Sequence, residues 1–458
     1  MPRNANISVL LCAVAVAVAL ACAAPAGAAP YRPGEVVVKY RPHASRAHAA
    51  EVTRVTGEKG SPSPAADVQV LRIRDGDSVR QTVRELNRQP GVEYAVPNYV
   101  ARATGLVPND PGRLRSPGGW QQLQWNFLPG IGVDAPTAWQ NLMAAGAPGG
   151  RGVVVAVLDT GVAYENRGRF LRSPDLAPTS FVRGYDFVSR DPHPNDENGH
   201  GTFIASIVAE QTGNARDATG LAYGARVMPL RVLDADGLGD AATIGQGIRY
   251  AARRGAKVIN LSLEFDPSTP RSQIPEVLSA IRYAHSRGSV VTAASGNEAE
   301  SRLAYPAKAG SVISVGATTE HGCLADYSNT GSGLDIVAPG GGPDADVKDD
   351  PAHCQPSAKP GRDIYQLTFR GSSPRRFGYP SGYQGTSMSA PHVAAIAALV
   401  IASGVVGRNP SPDAVERRLE ATARDLGPPG YDARYGAGMV DAGRATAPVA
   451  SRARRARR

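Results

Sequence analysis

Aromatic residues make up only 6% of this 458-residue chain. That leaves little material for a stacked aromatic platform of the kind that holds single-stranded nucleic acid or sugar. Cysteine is scarcer still. There are four, and Cys12 and Cys22 fall in the first 22 residues. A cysteine-dense scaffold and a four-cysteine metal site are both excluded. After Cys22 no stretch reads as long and apolar enough to span a bilayer, which takes roughly 20 residues. No internal repeat is evident, so a solenoid is excluded. The 51 glycines and 37 prolines follow no three-residue period, which removes collagen.

What is present is a globular composition with 42% hydrophobic residues and a net charge of +9. The charge is unevenly spread. Arg3, a net +4 over residues 29–107 (12 basic, 8 acidic) and five arginines in the last seven residues account for it, leaving −1 for residues 108–451. The largest segment is therefore near neutral. It offers no phosphate-tracking surface, and nucleic acid is not an expected partner.

Residues 1–28 read as an export signal. Arg3 opens it, an apolar run follows from Val9 to Cys22, and Ala26-Gly27-Ala28 gives a small-residue cleavage site. The run is too short for a membrane anchor, so none is expected once the signal is removed. A lipid attachment at Cys22 is the lesser alternative. In an oxidising compartment the remaining pair, Cys323 and Cys354, is expected to form a disulfide, with two separate buried thiols as the alternative.

Residues 29–107 read as a small α+β unit with a linker. Strand patterns cover Glu35–Tyr40, Val68–Ile73 and Gly91–Val96, the last expected to stop at Pro97-Asn98, and a helical spacing covers Ser78–Arg88. Ala101 to Pro117 reads as linker. From Gly152 onward, apolar strand runs (Val153–Leu158, Val227–Val232, Lys257–Leu263, Val290–Ala294, Val312–Val315) alternate with helical patterns (Ile204–Ala209, Ala241–Arg254, Pro275–Ser286, Met388–Ala402). That order predicts an α/β fold, doubly wound, with a mainly parallel sheet and helices on both faces. Its ligand site belongs at the carboxyl ends of the strands. Residues 411–424 form a further helix with Ser411 as N-cap. The tail 446–458 reads as basic and disordered.

Three segments carry chemistry. Asp159 ends the first buried strand, in Val157-Leu158-Asp159-Thr160-Gly161. His200 opens a helix between glycines, in Asn198-Gly199-His200-Gly201-Thr202. Ser387 opens another, in Gly385-Thr386-Ser387-Met388-Ser389-Ala390-Pro391-His392. Alone, each is an ordinary cap or turn residue. Together they meet a chemical need. A serine hydroxyl is a poor nucleophile at neutral pH, so a histidine must take its proton. The histidine in turn needs a buried acid to fix its tautomer. His392 reads as a packed core residue, and His193 and His285 as surface residues.

The order Asp, His, Ser with these motifs resembles the subtilisin-like serine proteases. The resemblance covers about residues 108–445, and Gly220–Phe265 is similar to the thermitase branch. It implies a serine endopeptidase acting on polypeptides, with Asp159, His200 and Ser387 as the triad and Asn297, in Ala294-Ser295-Gly296-Asn297, as oxyanion donor. Residues 29–107 resemble the propeptides of that family, which template folding and then inhibit until cleaved. No cofactor is implied for catalysis. A structural Ca²⁺ is implied, with Asp110, Asp175 and Asp217 as candidate ligands beside carbonyls near Thr219 and Leu221. Substrate-binding positions are Ser262, Leu263, Glu264 and Ala304, with Ala304 as the floor of the primary pocket. A monomer is expected.

Two departures stand out. Ser262-Leu263-Glu264-Phe265 replaces the family's Ser-Leu-Gly-Gly, so a carboxylate borders the primary pocket and a Lys or Arg preference follows. The opposing reading turns Glu264 to solvent and leaves Phe265 to narrow the cleft. The second departure is an insertion, Gly340–Ser381, expected as a long surface loop. Two other functional readings stay open: an inactive homologue serving as a binding protein, and an envelope-associated processing protease.

Overall fold

The computed structural model describes residues 31–41, 52–56, 68–74, 77–99, 107–114, 116–177, 180–346, 353–357, 359–371 and 373–449. The export signal, the proposed cleavage region up to residue 106 and the arginines of the tail lie outside the described residues. The chain divides into two compact units, Met1–Thr104 and Gly105–Arg458.

In the first unit, strand β1 (Tyr31–Tyr40) pairs antiparallel with β2 (Val68–Arg72) on one side and with β3 (Val92–Tyr99) on the other. Helix α1 (Val79–Leu86) lies between β2 and β3 in sequence. Alternate residues Val36, Val38 and Tyr40 of β1 turn inward against Leu71, Leu86, Val92 and Ala95, the period of two that a half-buried strand requires. The expectation that Pro97 stops β3 is corrected. The strand continues to Tyr99, and Pro97 pairs with Val36. β3 is an edge strand, where proline's missing N–H costs no ladder bond on the open side.

In the second unit a one-turn helix at Trp120–Leu123 precedes the longer helix α2 (Ala135–Ala144), which is capped by the Asp134 side chain. Its sheet holds β4 (Val154–Asp159), β5 (Tyr185–Asp186), β6 (Arg226–Arg231), β7 (Val258–Leu261), β8 (Val290–Ala294), β9 (Ile313–Thr318) and β10 (Ile336–Pro339) in the order β10-β9-β8-β7-β4-β6-β5. All six pairings are parallel. The α/β expectation therefore holds. β5 and β10 had no sequence signal strong enough to find them: one is two residues long, the other four, ending in proline. Residues of β4 divide between two cores. Val155 and Val157 face one side, Ala156 and Leu158 the other, which explains why the strand reads as a continuous apolar run.

Helices α3 (His200–Ala209), α4 (Ala241–Arg253), α5 (Pro275–Ser286), α6 (Thr386–Ser403), α7 (Pro412–Thr422) and α8 (Ala442–Thr446) complete the unit. α4 and α5 bury Ile244, Ile248, Val277 and Ile281 against one face of the sheet. α6 lies on the other face and is buried along nearly its whole length. It is apolar all round, as a central helix must be. By length and composition it could also cross a membrane, but 78% of it is buried inside the protein. Ser411 caps α7 by accepting from the Ala414 amide, as expected.

Three boundaries shift. Residues 108–114 are not free linker: Asp110 is fully buried, and Trp120 Nε1 donates to the Pro108 carbonyl at 2.9 Å. The tail begins later than 446, because Thr446 is buried in α8 and its Oγ1 accepts from Asn141 Nδ2 at 3.1 Å. The insertion is more than surface loop. Ile364, Gln366, Leu367, Thr368 and Phe369 are buried, and Tyr383 just beyond it stacks on Phe203 of α3 at 4.1 Å. Its hairpin, β11 (Thr368–Phe369) with β12 (Phe377–Gly378), meets the loop before α3 where Thr368 Oγ1 donates to the Gly199 carbonyl. Cys323 and Cys354 form the expected disulfide across 31 positions.

Candidate active site

Asp159, His200, Ser387, Asn297 and Glu264 gather where β4, β7 and β8 end and where α3 and α6 begin. Asp159 is the last residue of β4 and is fully buried. His200 is the first residue of α3, and its Nδ1 meets Asp159 Oδ1 at 2.7 Å. A carboxylate only accepts, so Nδ1 carries the proton and Nε2 keeps its lone pair. Asp159 Oδ1 also accepts from Thr160 N at 2.8 Å, which fixes the carboxyl plane. Burial disfavours a charged His200 ring, but the charges of Asp159 and Asp196 outweigh it and raise the pKa above its usual value. The close fit of β4 and α3 depends on Gly201: a Cβ there would sit 2.1 Å from the Gly161 carbonyl oxygen.

Asp196 organises the loop before His200. It is buried and accepts from Thr160 Oγ1 at 2.9 Å, Thr202 Oγ1 at 2.6 Å, Asn198 N at 2.9 Å and Gly199 N at 2.9 Å. Sequence reasoning missed it. An aspartate four residues before a histidine has no special look, and its partners come from two separate segments.

Ser387 is the second residue of α6, after Gly385 with φ of 142°. Its Oγ donates to the Ser262 carbonyl at 3.2 Å, while Ser262 Oγ donates to the Ser387 carbonyl at 2.7 Å. Among the described residues no hydrogen bond joins Ser387 Oγ to His200. Both line one cavity of about 400 Å³, together with Ser262, Leu263, Glu264 and Phe265. Such a resting contact is common before substrate binds.

Asn297 follows β8. Its Oδ1 accepts from Thr386 N at 2.8 Å and Thr386 Oγ1 at 3.1 Å. A backbone N–H can only donate, so the oxygen end of the amide faces α6 and Nδ2 faces away. Nδ2 donates to Glu264 Oε1 at 3.2 Å. Glu264 is turned inward rather than to solvent. Its Oε2 is buried, and a Cβ on Gly296 would lie 2.8 Å from it. Burial and the nearby Glu298 push its pKa up to about 7, against the opposing Asn297 hydrogen bond. Glu298 also accepts from Asn297 N at 3.1 Å and Asn329 Nδ2 at 2.6 Å. Neither Glu298 nor Asn329 was visible as a site residue in the sequence. Ala304 is fully buried and does not line the cavity. Its N–H donates to the Ser295 carbonyl at 2.9 Å, fastening the segment behind Gly296.

His392 is a core residue as expected. Asn126 Nδ2 donates to its Nε2, its Nδ1 donates to the Met388 carbonyl, and burial lowers its pKa to about 4. His193 and His285 are partly exposed and pair with Glu165 and Asp413.

Asp110, Asp175 and Asp217 lie around one loop. Asp110 accepts from Gly213 N at 2.8 Å and Asn214 N at 3.1 Å, and Asp175 Oδ1 accepts from Asn214 Nδ2 at 2.6 Å. Asp175 Oδ2 is buried without a hydrogen-bond partner. Burial raises the Asp175 pKa to about 8, with Asp217 and Asp110 adding to it and Asn214 opposing. The Thr219 and Leu221 carbonyls are already taken: Gln124 and Gln366 donate to the first, Trp139 to the second. Asn214 belongs with the aspartates and was not singled out in the sequence.

Residues 150–438 match the Subtilase family, and residues 19–98 match the Fervidolysin N-terminal prodomain. A thermophilic serine proteinase of Bacillus sp. (strain AK1) is 34% identical over 406 residues, 89% of this chain and 86% of that protein. Thermitase of Thermoactinomyces vulgaris is 35% identical over 298 residues, 65% of this chain and 86% of its own. Among solved structures, a protease of Pseudoalteromonas arctica superposes with a TM-score of 0.59 at 31% identity, covering 74% of this chain and 99% of that one. With its parallel seven-stranded sheet and its small antiparallel N-terminal module, this chain belongs to the subtilase family of serine endopeptidases and carries a fervidolysin-type prodomain.

Proposed function

We propose that the chain is the zymogen of an exported endopeptidase in which Ser387 is the nucleophile, His200 the general base, Asp159 its orienting acid and Asn297 the oxyanion donor. The observation that carries this is the 2.7 Å contact between His200 and Asp159, on a cavity that His200 shares with Ser387. In the reaction, Ser387 Oγ turns from the Ser262 carbonyl to His200 Nε2. It attacks the substrate carbonyl as Nε2 takes its proton. Asp159 stabilises the imidazolium that results. Asn297 Nδ2 and the Ser387 backbone N–H at the start of α6 face the developing oxyanion. His200 then gives its proton to the departing amine, leaving an acyl-enzyme that water hydrolyses by the reverse sequence.

Residues 1–28 are the export signal and residues 29–107 the propeptide, an inhibitor of the enzyme until cleaved. Glu264 supports a preference for Lys or Arg at the substrate residue before the scissile bond, since its carboxylate borders the cavity with no cation paired to it among the described residues. A guanidinium or ammonium there makes a charge-assisted hydrogen bond.

Asp110, Asp175 and Asp217 are suited to Ca²⁺. They are hard oxygen donors on loops, and the buried, unpartnered Asp175 Oδ2 is an orphan that a cation would satisfy. Bound there, the ion would neutralise clustered carboxylates and pin the loop at residues 211–219. It takes no part in the chemistry.

The test is labelling with a serine-directed fluorophosphonate alongside casein hydrolysis. Wild type is expected to label and cleave. Ser387→Ala is expected to do neither, and to remain as an unprocessed precursor. Hydrolysis by Ser387→Ala at the wild-type rate overturns the assignment.

A further inference from the structure

At the resting site one of the two N–H groups of the oxyanion donor is already occupied. Asn297 Nδ2 donates to Glu264 Oε1 at 3.2 Å. The amide cannot turn away, because its Oδ1 is held by Thr386 N and Thr386 Oγ1. Glu264 must therefore yield before Nδ2 can offer both of its N–H groups to a substrate. A carboxylate left in place is adverse twice over. It takes one of the donor's two N–H groups, and it sets negative charge beside the point where negative charge develops.

Glu264 is weakly held against departure. Its Oε2 has no hydrogen-bond partner, although it is buried over Gly296. Glu298, on the turn after β8, repels its ionised form, and hydrogen-bonds it only when it is protonated. The nearest arginine of that turn, Arg302, is spent on Glu300. What keeps the ionised carboxyl in place is Asn297, through its side-chain amide and its backbone N–H.

We propose that Glu264 is a substrate-released latch: it holds the Asn297 amide in the resting enzyme and lets go when a Lys or Arg side chain of the substrate draws the carboxylate to itself. This rests on the roles given to Asn297 and Glu264 above. An ammonium or guanidinium competes for the carboxylate better than a neutral amide does, because both partners of the new hydrogen bond are charged. The freed N–H of Asn297 then faces the scissile carbonyl. Binding of the basic side chain thus completes the oxyanion site, so its interaction energy appears in kcat more than in KM. With Leu or Phe at that position the latch stays closed and turnover is slow.

The experiment compares two peptide amides that differ only in the residue before the scissile bond, Lys or Leu. Kinetics are measured for wild type, Glu264→Gly and Glu264→Gln, each alone and with Asn297→Ala. Rates are expressed per active site titrated with fluorophosphonate, so misfolded protein does not count. Wild type is expected to prefer Lys mainly through kcat. Glu264→Gly is expected to raise kcat on the Leu peptide about tenfold, the scale of one charged hydrogen bond, and to lower it on the Lys peptide. Glu264→Gln, isosteric but neutral, is expected to bring the two rates together. With Asn297→Ala the gain on Leu is expected to vanish.

An unchanged kcat on Leu in Glu264→Gly overturns the latch, as does a gain of the same size without Asn297. A Lys preference carried wholly by KM also overturns it, while leaving the specificity reading intact. Wild-type rates in Asn297→Ala overturn the oxyanion assignment on which the latch rests.

Discussion

His200 is held between two opposing influences, burial and the acids Asp159 and Asp196, and the acids prevail. In the proposed mechanism the ring must be neutral to accept the Ser387 proton, so activity is expected to be lost as pH falls through its pKa. Because that pKa is raised above 6.5, the acid limb of kcat/KM is expected above about pH 6.5. Asp159→Asn removes the charge that raises it and disturbs the tautomer. The acid limb should move to lower pH and kcat fall by about 10⁴. A pH–rate profile of both proteins checks this, and an unmoved limb counts against Asp159 as the partner. At this scale the sequence was informative wherever a motif packs its meaning into five contiguous residues, as around His200 and Ser387. It was silent on Asp196, Glu298 and Asn329. Each acts through partners that only the folded chain brings near.

Secondary elements put these residues at the carboxyl end of the sheet's inner strands. α3 and α6 each present a first turn there, so the His200 and Ser387 side chains converge, and the N–H groups of His200, Gly201, Thr202 and Thr386 are capped by the side chains of Asn198, Thr160, Asp196 and Asn297. The inserted segment braces the loop before α3. Phe369 packs on Gly199, where a Cβ would lie 3.1 Å from its ring, and Thr368 bonds the Gly199 carbonyl. Cys354 ties this segment to Cys323. Closing a loop with a separation of 31 residues stabilises by about 3–4 kcal/mol in the chain-entropy account. Replacing both cysteines by serine is expected to lower the stability of the fluorophosphonate-blocked enzyme by that order in urea titration. Stability within about 0.5 kcal/mol of wild type would mean that the unfolded chain gains little freedom from losing the bond. The insertion's length and its loop-like composition were legible. Its burial was not, because Ile364, Leu367 and Phe369 stand among glycines and prolines with no regular period.

For the whole molecule, two properties follow from how distant segments meet. Asp110, Asp175 and Asp217 come from three parts of the chain, and Asp175 is buried with one oxygen unpartnered. Removing calcium by chelation is expected to lower the thermal midpoint of the blocked enzyme. A free concentration 100 times the Kd corresponds to about 2.7 kcal/mol. Asp175→Asn should abolish most of the calcium dependence. Equal midpoints with and without calcium would dismiss a cation at this loop. Maturation is the second property. Cleavage is expected between Val100 and Val107, close to the division between the two compact units. The released module should inhibit the mature enzyme. Edman sequencing of the active form settles the position, and a start before Ala50 or after Gly152 would refute it.

The alternation of buried strands with helices, and the three reactive motifs at their ends, were readable because both are local. Strand runs and helical spacing depend on near neighbours, and a motif keeps its residue types wherever it lies. Hydrophobic burial then leaves few ways to stack such elements, so the α/β class followed from the pattern. The direction of Glu264 was different. Solvent and pocket were equally open to a charged side chain at that position, and nothing adjacent in sequence decided between them. The choice fell to groups far along the chain. Thr386 fixes which end of the Asn297 amide faces outward, and Gly296 leaves room for a carboxyl group. Only when β7, β8 and α6 are packed do these groups meet, and the free energy of a hydrogen bond between them exists in the folded state alone.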